Sequence, residues 1–485
     1  MILSDPTPCN SETLAQYIET YCDEGWKIMS LFVSESSPGS TLNILLRRGK
    51  DVARITSEVT ESYPAIAQRV PSASIFERAL WEMSGIVPNG HGDLIPAIYW
   101  RKGDGHPLQK EKYNVDSEFR IFKPKNHVSG TGVFEIPVGP VHAGVIEPGH
   151  FRFSVAGEQI LGLRIHLGYA HKGIEKLMEG PVSNNRSYLA DRISGDNAVA
   201  HGLAHAHVME GETEIPARAR YIRVILSELE RIHNHLDVIA GLCTDAAFVV
   251  AAAFGTRIRE ELLRINGEVF GSRMLMGNIV PGGVKKDISP ENMLKLESAV
   301  MKAGFAAVTL DGYIRHSPSE LDRLETTGIL TKEIALRLGA VGIIARASGI
   351  ISDVRAELPY DAYKDLSFNT ISKNKGDVMS REAVRVGEIS ESVSLILQCI
   401  GDMKEGEIWT KPEIPNGFSC GIIESPRGEL LHSAEIRDGE VWRYNIRDPS
   451  FVNWPTMELS VLEDIIPDFP LINKSFGLSY SGNDV

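Results

Sequence analysis

The stretch from Gly139 to His207 constrains the fold of this chain more than any other part of the sequence. It places many Asp, Glu, Arg and His side chains among apolar residues, as in DRISGDNAVAH at 191–201. Such side chains are costly to bury unless they are paired or hydrogen-bonded. A segment that carries so many of them and still has to pack is therefore predicted to form a functional site or its support.

Length and charge limit the class of protein. A chain of 485 residues is long enough for two or three domains with an ample core. It has 50 basic and 64 acidic residues and a formal net charge of −14, which argues against nucleic acid or an anionic lipid surface as the main partner. An apolar run of about eighteen residues and a secretory signal are both lacking, so we expect a soluble cytoplasmic protein.

The cysteines are scattered along the chain, at Cys9, Cys22, Cys243, Cys399 and Cys420. None of them has the Cys-x-x-Cys spacing that is typical of zinc knuckles and iron–sulfur clusters. We therefore expect no metal centre held by thiolates of this chain alone. Few, unpaired thiols are also typical of a reducing cytoplasm.

Apolar spacing predicts an α+β region at the front of the chain. Residues 12–26 have helical spacing, and residues 28–34 and 41–47 have the pattern of strands. The polar stretch over 110–131, with its Lys, Pro, Gly and Asn residues, is typical of a linker. We predict a first domain over 1–115, a linker over 116–131 and a second domain over 132–485.

The second domain is predicted to become helical after residue 168, following short strands broken by Gly-Pro and Pro-Gly turns. Pro216 stands where a first-turn proline is tolerated, and apolar residues from Ile222 to Leu236 recur at helical spacing, which predicts a core helix of roughly twenty residues. The remaining predictions are a buried helix at 246–254, a glycine turn at 281–284, helices at 290–310, 331–338 and 381–400, strands at 421–424 and 440–446, and a last helix from 456.

Several ordered motifs resemble one family. GPVH at 139–142, GYAHKGIEK at 168–176, DRISGDNAVAH at 191–201, SPRGE at 425–429 and NWPT at 453–456 resemble the large subunits shared by membrane-bound, energy-converting nickel–iron hydrogenases and the quinone-site subunit of respiratory complex I. FERALWEMSGI at 76–86, with GHGDL at 90–94 and HPL at 106–108, resembles the small accessory subunit of complex I. The resemblance implies an α+β accessory-subunit-like docking domain, followed by a mainly helical NiFe-hydrogenase-large-subunit-like domain with a small β portion.

In the hydrogenases of this family two cysteine pairs hold nickel and iron. The places of the first pair, after Arg192, are filled here by Ser194 and Asn197, and those of the second pair, after NWPT, by Ser479 and Gly482. Hydroxyls, an amide and a glycine do not replace the soft thiolates that nickel and low-spin iron need. The resemblance therefore implies a relative that has lost its metal centre and does not activate hydrogen.

Two polar residues match hydrogenase positions beside the metal. Arg427 matches the arginine of the Pro-Arg-Gly segment, and its guanidinium could bind a carboxylate or an acceptor oxygen in a fork geometry. The alternative is a structural pair with Glu424 or Glu429. Glu175 matches the glutamate that relays protons in the hydrogenases, and its alternative is a salt bridge to a lysine of its own helix.

The match to complex I is partial. Of the two histidines that the complex I loop carries after Gly-Pro, the first is matched by His142 and the second falls at Ile146, while the quinone-site tyrosine falls at Gly195. Asp245 matches an acidic residue linked in complex I to proton coupling. A quinone site built from other polar residues stays open, although each of them alone is more typical of structural roles: Tyr169, Tyr188, His150 and Asp196.

His201 and His205 are one helical turn apart, a spacing that suits two metal ligands. No glutamate lies between them in the His-Glu-x-x-His manner. We therefore predict packed structural histidines and assign no metal site to this chain.

The resemblance implies a large subunit that lies peripherally on the cytoplasmic side of the cell membrane. It would pack on a small subunit with a 4Fe-4S cluster and on ion-translocating membrane subunits, would hold no cofactor of its own and would not act alone. We predict that a cavity lined by His142, Glu175, Asp196, Asp245 and Arg427 binds an acceptor other than hydrogen, with a quinone as a candidate, or passes protons. The alternatives are a redox-inactive scaffold that transmits conformational change, and an NADH:quinone-type oxidoreductase subunit with an altered quinone site.

Overall fold

The computed structural model describes residues 1–3, 6–35, 39–98, 101–110, 114–119, 128, 130–142, 146–182 and 186–485. The elements of residues 1–119 are β1 (Thr7–Pro8), α1 (Leu14–Asp23), β2 (Lys27–Glu35), β3 (Ser40–Arg48), β4 (Asp51–Val59), β5 (Ser62–Pro64), α2 (Ser74–Ser84), β6 (Val87–Asn89), β7 (Arg101–Asp104) and β8 (Asn114–Phe119). The predicted helix over 12–26 is α1, and the two predicted strands are β2 and β3. The α+β class of this region is thus confirmed.

The first domain is built on a sheet with the strand order β1-β4-β3-β2. Strand β2 is buried over nearly its whole length, which is typical of a strand covered on both faces. One face packs with α1 and α2 in a shared apolar core. The other face contributes Met29 and Phe32 to a core that contains Phe418 and Ile422 of the second domain.

The second domain contains short strands, long helices and one larger sheet. Its elements are β9 (Val133–Val138), β10 (His150–Ala156), β11 (Gln159–His166), α3 (Ile174–Leu177), β12 (Gly180–Pro181), α4 (Ser187–Ala190), α5 (Ala198–Glu210), α6 (Ala217–Asp245), α7 (Val249–Phe270), β13 (Ile279–Val280), β14 (Gly283–Val284), α8 (Pro290–Arg315), α9 (Pro318–Leu324), α10 (Lys332–Leu338), α11 (Gly342–Ala347), α12 (Val354–Glu357), α13 (Val378–Asp402), β15 (Gly417–Ser425), β16 (Gly428–Arg437), β17 (Glu440–Arg447), α14 (Pro449–Ser460), α15 (Phe469–Phe476) and α16 (Tyr480–Asn483).

Four long helices, α6, α7, α8 and α13, pack on one another as the core of the second domain. Helix α6 has 29 residues and is longer than predicted, because Ile239 and Leu242 keep its buried face apolar beyond Leu236. The helix predicted at 246–254 is the start of α7. The prediction that this segment is buried throughout is wrong. Val249 and Val250 are 70% and 76% exposed, so an apolar run alone did not indicate burial.

A four-stranded sheet with the order β12-β17-β16-β15 closes the second domain. Strand β16 was not predicted, and it pairs antiparallel with both β15 and β17. Helix α14 begins at Pro449, earlier than the predicted start at 456, because the Asp448 side chain accepts from the Ser450 backbone N–H and caps the helix. Helix α5 packs on β15 and β16.

The two domains share buried contacts. Phe76 packs against Phe451 with ring centroids 5.4 Å apart, and Arg47 Nε donates to Glu429 Oε2 at 2.6 Å. Strand β8 pairs with β7 and takes up residues 116–119, which the sequence had assigned to the linker. Residues 120–127 and 129 of that predicted linker lie outside the described part. Within the described part of the chain, no helix is both long and apolar enough to span a lipid bilayer.

Candidate functional site

The four places that hold cysteines in hydrogenases come together in the fold. Ser194 lies just before α5, and Ser479 is the N-cap of α16. Their hydroxyl oxygens are 2.9 Å apart, and the backbone N–H of Gly482 donates to Ser479 Oγ at 2.9 Å. The backbone N–H of Asn197 donates to the Ser194 carbonyl oxygen at 3.0 Å. Segments separated by nearly three hundred positions thus meet at one point.

These residues do not fit a nickel–iron centre. Two hydroxyls, an amide and a bare glycine offer no thiolate. The structure also leaves no room for a cysteine at the fourth place, since a Cβ added to Gly482 would lie 2.8 Å from Cγ and Oδ2 of Asp448. Among the described residues, no group of three or more His, Cys, Asp or Glu side chains is arranged to hold a metal ion.

Asp196 and Arg427 form an ion pair beside the two serines. Arg427 Nη2 donates to Asp196 Oδ2 at 2.6 Å and Nη1 to Oδ1 at 3.1 Å, while Ser194 Oγ donates to Oδ1 at 2.9 Å. Burial alone would raise the pKa of Asp196, but the Arg427 guanidinium holds it well below its usual value. The pair is therefore charged, and it joins the Pro-Arg-Gly motif to the DRISGDN motif.

The turn between β15 and β16 carries Arg427 to this position. Ser425 pairs with Gly428, so Arg427 lies in a two-residue hairpin turn. Gly428 has φ +134°, a conformation that favours glycine. A Cβ on Gly428 would lie 2.6 Å from the Cα of Gly342, so the close approach of two glycines lets the hairpin end reach the site.

Two buried polar side chains next to this pair have no hydrogen-bond partner among the described residues. Glu230 of α6 caps α5 by accepting from the backbone N–H groups of Val199 and Ala200 at 2.7 and 3.0 Å. The amide of Asn197, the N-cap residue, is therefore not used, and its Nδ2 and Oδ1 are buried without a partner. Both ring nitrogens of His233 are likewise buried without a hydrogen-bond partner among the described residues. Burial lowers the pKa of His233 to about 3.

His142 lies on the loop that follows β9, close to the C-terminal helix. Its Nε2 is 2.8 Å from the Gly149 carbonyl oxygen, and its ring packs on Phe151 with centroids 5.5 Å apart. On the same loop Glu147 Oε2 accepts from the Ser481 backbone N–H at 3.0 Å. Phe151 in turn packs on Tyr480 of α16 with ring centroids 6.4 Å apart, which places His142 beside the C-terminal end of the site. Residues 143–145 lie outside the described part.

Glu175 lies at the start of α3 and is held by β17. It accepts from Arg443 Nη2 at 2.8 Å, from Asn445 Nδ2 at 3.0 Å and from the Ile446 backbone N–H at 2.8 Å. Its ion-pair partner is therefore Arg443 and not a lysine of its own helix. Glu175 also lines a cavity of about 190 Å³ between the two domains, which extends to Gly482.

Asp245 ends α6, eleven residues after Asn234, whose Nδ2 donates to Asp196 Oδ2 at 3.2 Å. At 1.5 Å per residue the two positions are roughly 16 Å apart along the helix axis. Burial raises the pKa of Asp245, and nearby Lys474 opposes this.

Of the five predicted site residues, the structure pairs Asp196 with Arg427. It places His142 and Glu175 around this pair and leaves Asp245 apart.

The alternative partners that the sequence offered for Arg427 are engaged elsewhere. Glu424 pairs with Arg346 at 2.7 Å, and Glu429 binds Arg47 and Arg447. The Glu424–Arg346 pair belongs to a buried network of charged side chains on α6, α11, α12, α13 and β15, which no sequence pattern indicated. Its other members are Glu228, Arg231, His235, Asp353, Arg355 and Glu388.

The histidines of α5 bind protein groups. His201 Nε2 is 3.1 Å from Asp448 Oδ2, and His205 Nδ1 is 2.9 Å from the Tyr444 hydroxyl. The sequence motifs did not single out Asp448, Tyr444 or His432. A possible signal was the presence of a His and a Tyr at inward positions of β16 and β17, where apolar residues are expected.

Comparisons with known proteins agree with this architecture. Residues 26–118 match the family model of the 30-kDa subunit of respiratory-chain NADH dehydrogenase, and residues 245–414 match that of its 49-kDa subunit. The chain is 30% identical to formate hydrogenlyase subunit 5 of Escherichia coli K12 over 437 residues, which cover 87% of this chain and 77% of the relative.

Two further relatives span both domains. Hydrogenase-4 component G of Escherichia coli K12 is 31% identical over 442 residues, which cover 88% of this chain and 76% of the relative. The C/D subunit of NADH-quinone oxidoreductase from Phocaeicola vulgatus is 30% identical over 422 residues, which cover 81% of each chain.

Proposed function

The chain belongs to the large-subunit family shared by respiratory NADH dehydrogenase and membrane-bound hydrogenases, and we propose that it is the non-hydrogenase large subunit of a membrane-anchored oxidoreductase complex. In this role it receives electrons from a partner subunit with a 4Fe-4S cluster. It couples their transfer to ion translocation by membrane subunits. The match of relatives to both domains supports a place in such a multisubunit assembly.

The Arg427–Asp196 pair is the observation that carries the proposal. A guanidinium has five N–H donors, and in Arg427 three of them are used, by Asp196 and by the Gly477 carbonyl oxygen. The remaining donors are available to an oxygen of an acceptor. A fixed cation in a largely buried site also stabilises the negative charge that an acceptor gains on reduction.

The unpartnered side chains of Asn197 and His233 support an acceptor of a particular chemistry. A buried polar group without a partner costs about 1–3 kcal/mol, and a bound molecule with carbonyl or hydroxyl oxygens would recover this free energy. We propose a small acceptor with such oxygens, of which a quinone headgroup is the simplest representative. Hydrogen is not the substrate in this proposal, because the residues present do not fit a nickel–iron centre.

A second candidate function is a scaffold without redox chemistry. It is favoured by the contact between Ser194 Oγ and Ser479 Oγ at 2.9 Å, which joins two of the four positions directly and leaves no room for a ligand between these hydroxyls. The buried charged network along α6 and α13 would then transmit a change of charge in the partner cluster to the membrane subunits. In this role the chain moves no electrons itself.

The experiment uses the purified complex with this chain in place. We would reduce the partner cluster, add a water-soluble quinone and measure both quinone reduction and ion translocation. Arg427→Gln should slow quinone reduction by about tenfold or more, which corresponds to about 1.4 kcal/mol of lost stabilisation, while reduction of the cluster stays unchanged. Arg437→Gln is the matched control, because Arg437 is 42% exposed at the far end of β16.

The other outcomes separate the candidates. If Arg427→Gln and the milder Arg427→Lys both reduce quinone at the wild-type rate but lose ion translocation, the scaffold is the correct function. Stoichiometric nickel together with uptake of H₂ would reject both and establish a hydrogenase.

A further inference from the structure

Five buried side chains form an unbroken hydrogen-bonded row through the second domain. Asp448 Oδ2 is 3.1 Å from His201 Nε2, and His201 Nδ1 is 3.0 Å from His432 Nε2. His432 Nδ1 is 2.9 Å from the Tyr444 hydroxyl, which is also 2.9 Å from His205 Nδ1. We call this row the histidine–tyrosine relay. Each of its members is at most 3% exposed.

The carboxylate at one end fixes the direction of every hydrogen bond. Ionised Asp448 only accepts, so His201 carries its proton on Nε2 and accepts on Nδ1. His432 must then donate from Nε2 and accept on Nδ1, which makes the Tyr444 hydroxyl its donor. His205 in turn donates from Nδ1 to the Tyr444 oxygen. All four bonds therefore point toward Asp448.

The two ends of the relay reach two different cavities. His205 lines a narrow cavity of about 20 Å³ together with half-buried Arg186 and exposed Ile414, which is room for one water molecule. Asp448 lines the cavity of about 190 Å³ between the domains, at the point where Gly482 of the site borders it. The relay thus links the protein surface to the base of the site.

Burial favours the neutral form of two imidazoles of the relay, His205 and His432. It lowers the pKa of His205 to about 4 and the pKa of His432 well below its usual value. A neutral imidazole has one donor and one acceptor, so it can take up a proton on one nitrogen while it releases one from the other. A permanently charged imidazole, with two donors, would interrupt the row.

We propose that the histidine–tyrosine relay carries a proton from the surface at His205 to Asp448. This proton balances the charge of an electron delivered to the site, and the delivery of that electron rests on the proposed function. A proton added to His205 Nε2 displaces the Nδ1 proton to the Tyr444 oxygen. Tyr444 passes its own proton to His432 Nδ1, His432 passes one from Nε2 to His201 Nδ1, and His201 passes one from Nε2 to Asp448. One proton enters, one reaches the carboxylate, and the three imidazoles end as the opposite tautomers.

The first test needs only the full chain. Labelling histidine with ¹⁵N and recording ring nitrogen shifts should assign the proton to Nε2 in His201 and His432 and to Nδ1 in His205. Tyr444→Phe removes one oxygen from the middle of the relay and should shift the ring nitrogens of His205 and His432. Tyr360→Phe, whose hydroxyl bonds the backbone at Glu424 outside the relay, should leave them unchanged. A proton on Nδ1 of His201 in the wild type would overturn the proposal.

The second test uses the complex and measures proton uptake after rapid reduction of the partner cluster. Tyr444→Phe and His205→Gln should each slow proton uptake by about tenfold or more. The second variant changes the surface end of the relay, so the test does not depend on correct folding of Tyr444→Phe alone. Tyr360→Phe should not. Wild-type uptake in both relay variants would refute the relay. If electrons never reach an acceptor in the wild-type complex, the proposed function fails, while the tautomers in the isolated chain still decide whether the relay exists.

Discussion

Replacing Gly482 by alanine should destabilise the chain by about 1–3 kcal/mol, the usual cost of overpacking a tight interior. The added Cβ would lie 2.8 Å from Cγ and Oδ2 of Asp448 and 3.0 Å from Oδ1, where an ordinary contact needs at least about 3.5 Å. Asp448 has no free direction to move, because it binds His201 Nε2 and the Ser450 backbone N–H. Relief of the contact therefore weakens a charge-assisted hydrogen bond or a helix cap.

The measurement is the urea dependence of unfolding of the full chain. Gly312→Ala is the matched control, because Gly312 also lies in a helix, α8, and no atom would come within 4 Å of its added Cβ. That variant should be stabilised by about 0.5–1 kcal/mol, since alanine loses less conformational entropy than glycine in a helix. The same methyl group should thus have opposite effects at the two positions.

A third variant tests the assigned cause. Asp448→Ser keeps a capping oxygen with a shorter side chain, so Gly482→Ala should cost less in this background than in the wild type. Equal costs in both backgrounds, or a Gly482→Ala variant as stable as Gly312→Ala, would refute the reasoning. The result also bears on restoring the lost cysteines, because Gly482→Cys adds the same Cβ.

Two further changes test the charges around the site. Burial raises the pKa of Asp191 to about 6, so the folded state keeps a proton that the unfolded chain releases, and stability should fall by about 3 kcal/mol as pH rises from about 4 to 6. Asp191→Asn should abolish this fall in urea midpoints taken at pH 4.5 and 7, and an unchanged fall would assign it to other groups. Arg47→Met should destabilise the chain by about 3 kcal/mol, because buried Glu429 and half-buried Glu357 lose a partner. Unfolding of Arg47→Met with a wild-type midpoint would contradict that assignment.

Local patterns were sufficient for much of the fold. The helix and strands of the first domain and the helices α8, α10 and α13 follow from spacing and capping residues, as Ser289 and Asp377 show by accepting from the N–H groups of Asn292 and Ser380. Strand β16 escaped prediction because its residues are almost all buried, polar ones included. Such a strand has no alternation of apolar and polar residues to reveal it.

The site was only partly predictable for a related reason. Motifs singled out Asp196 and Arg427, but their contact joins positions 231 residues apart, and periodicity carries no information on such pairs. The relay is less visible still, since His432 and Tyr444 come from neighbouring strands whose register brings them together. Glu175 was singled out by a motif, yet only the fold identifies Arg443 as its partner.

The contact between Arg47 and Glu429 has a consequence for synthesis of the protein. The two residues are 382 positions apart, and a ribosome adding about 5–20 residues per second needs roughly 20–80 s to cover that distance. During this time Phe418 has not been synthesised, so the face of β2 that carries Phe32 is uncovered. In the folded chain the ring centroids of Phe32 and Phe418 are 6.2 Å apart. The nascent first domain therefore exposes an apolar surface for roughly 20–80 s, and we expect chaperones that bind chains still attached to the ribosome to bind it.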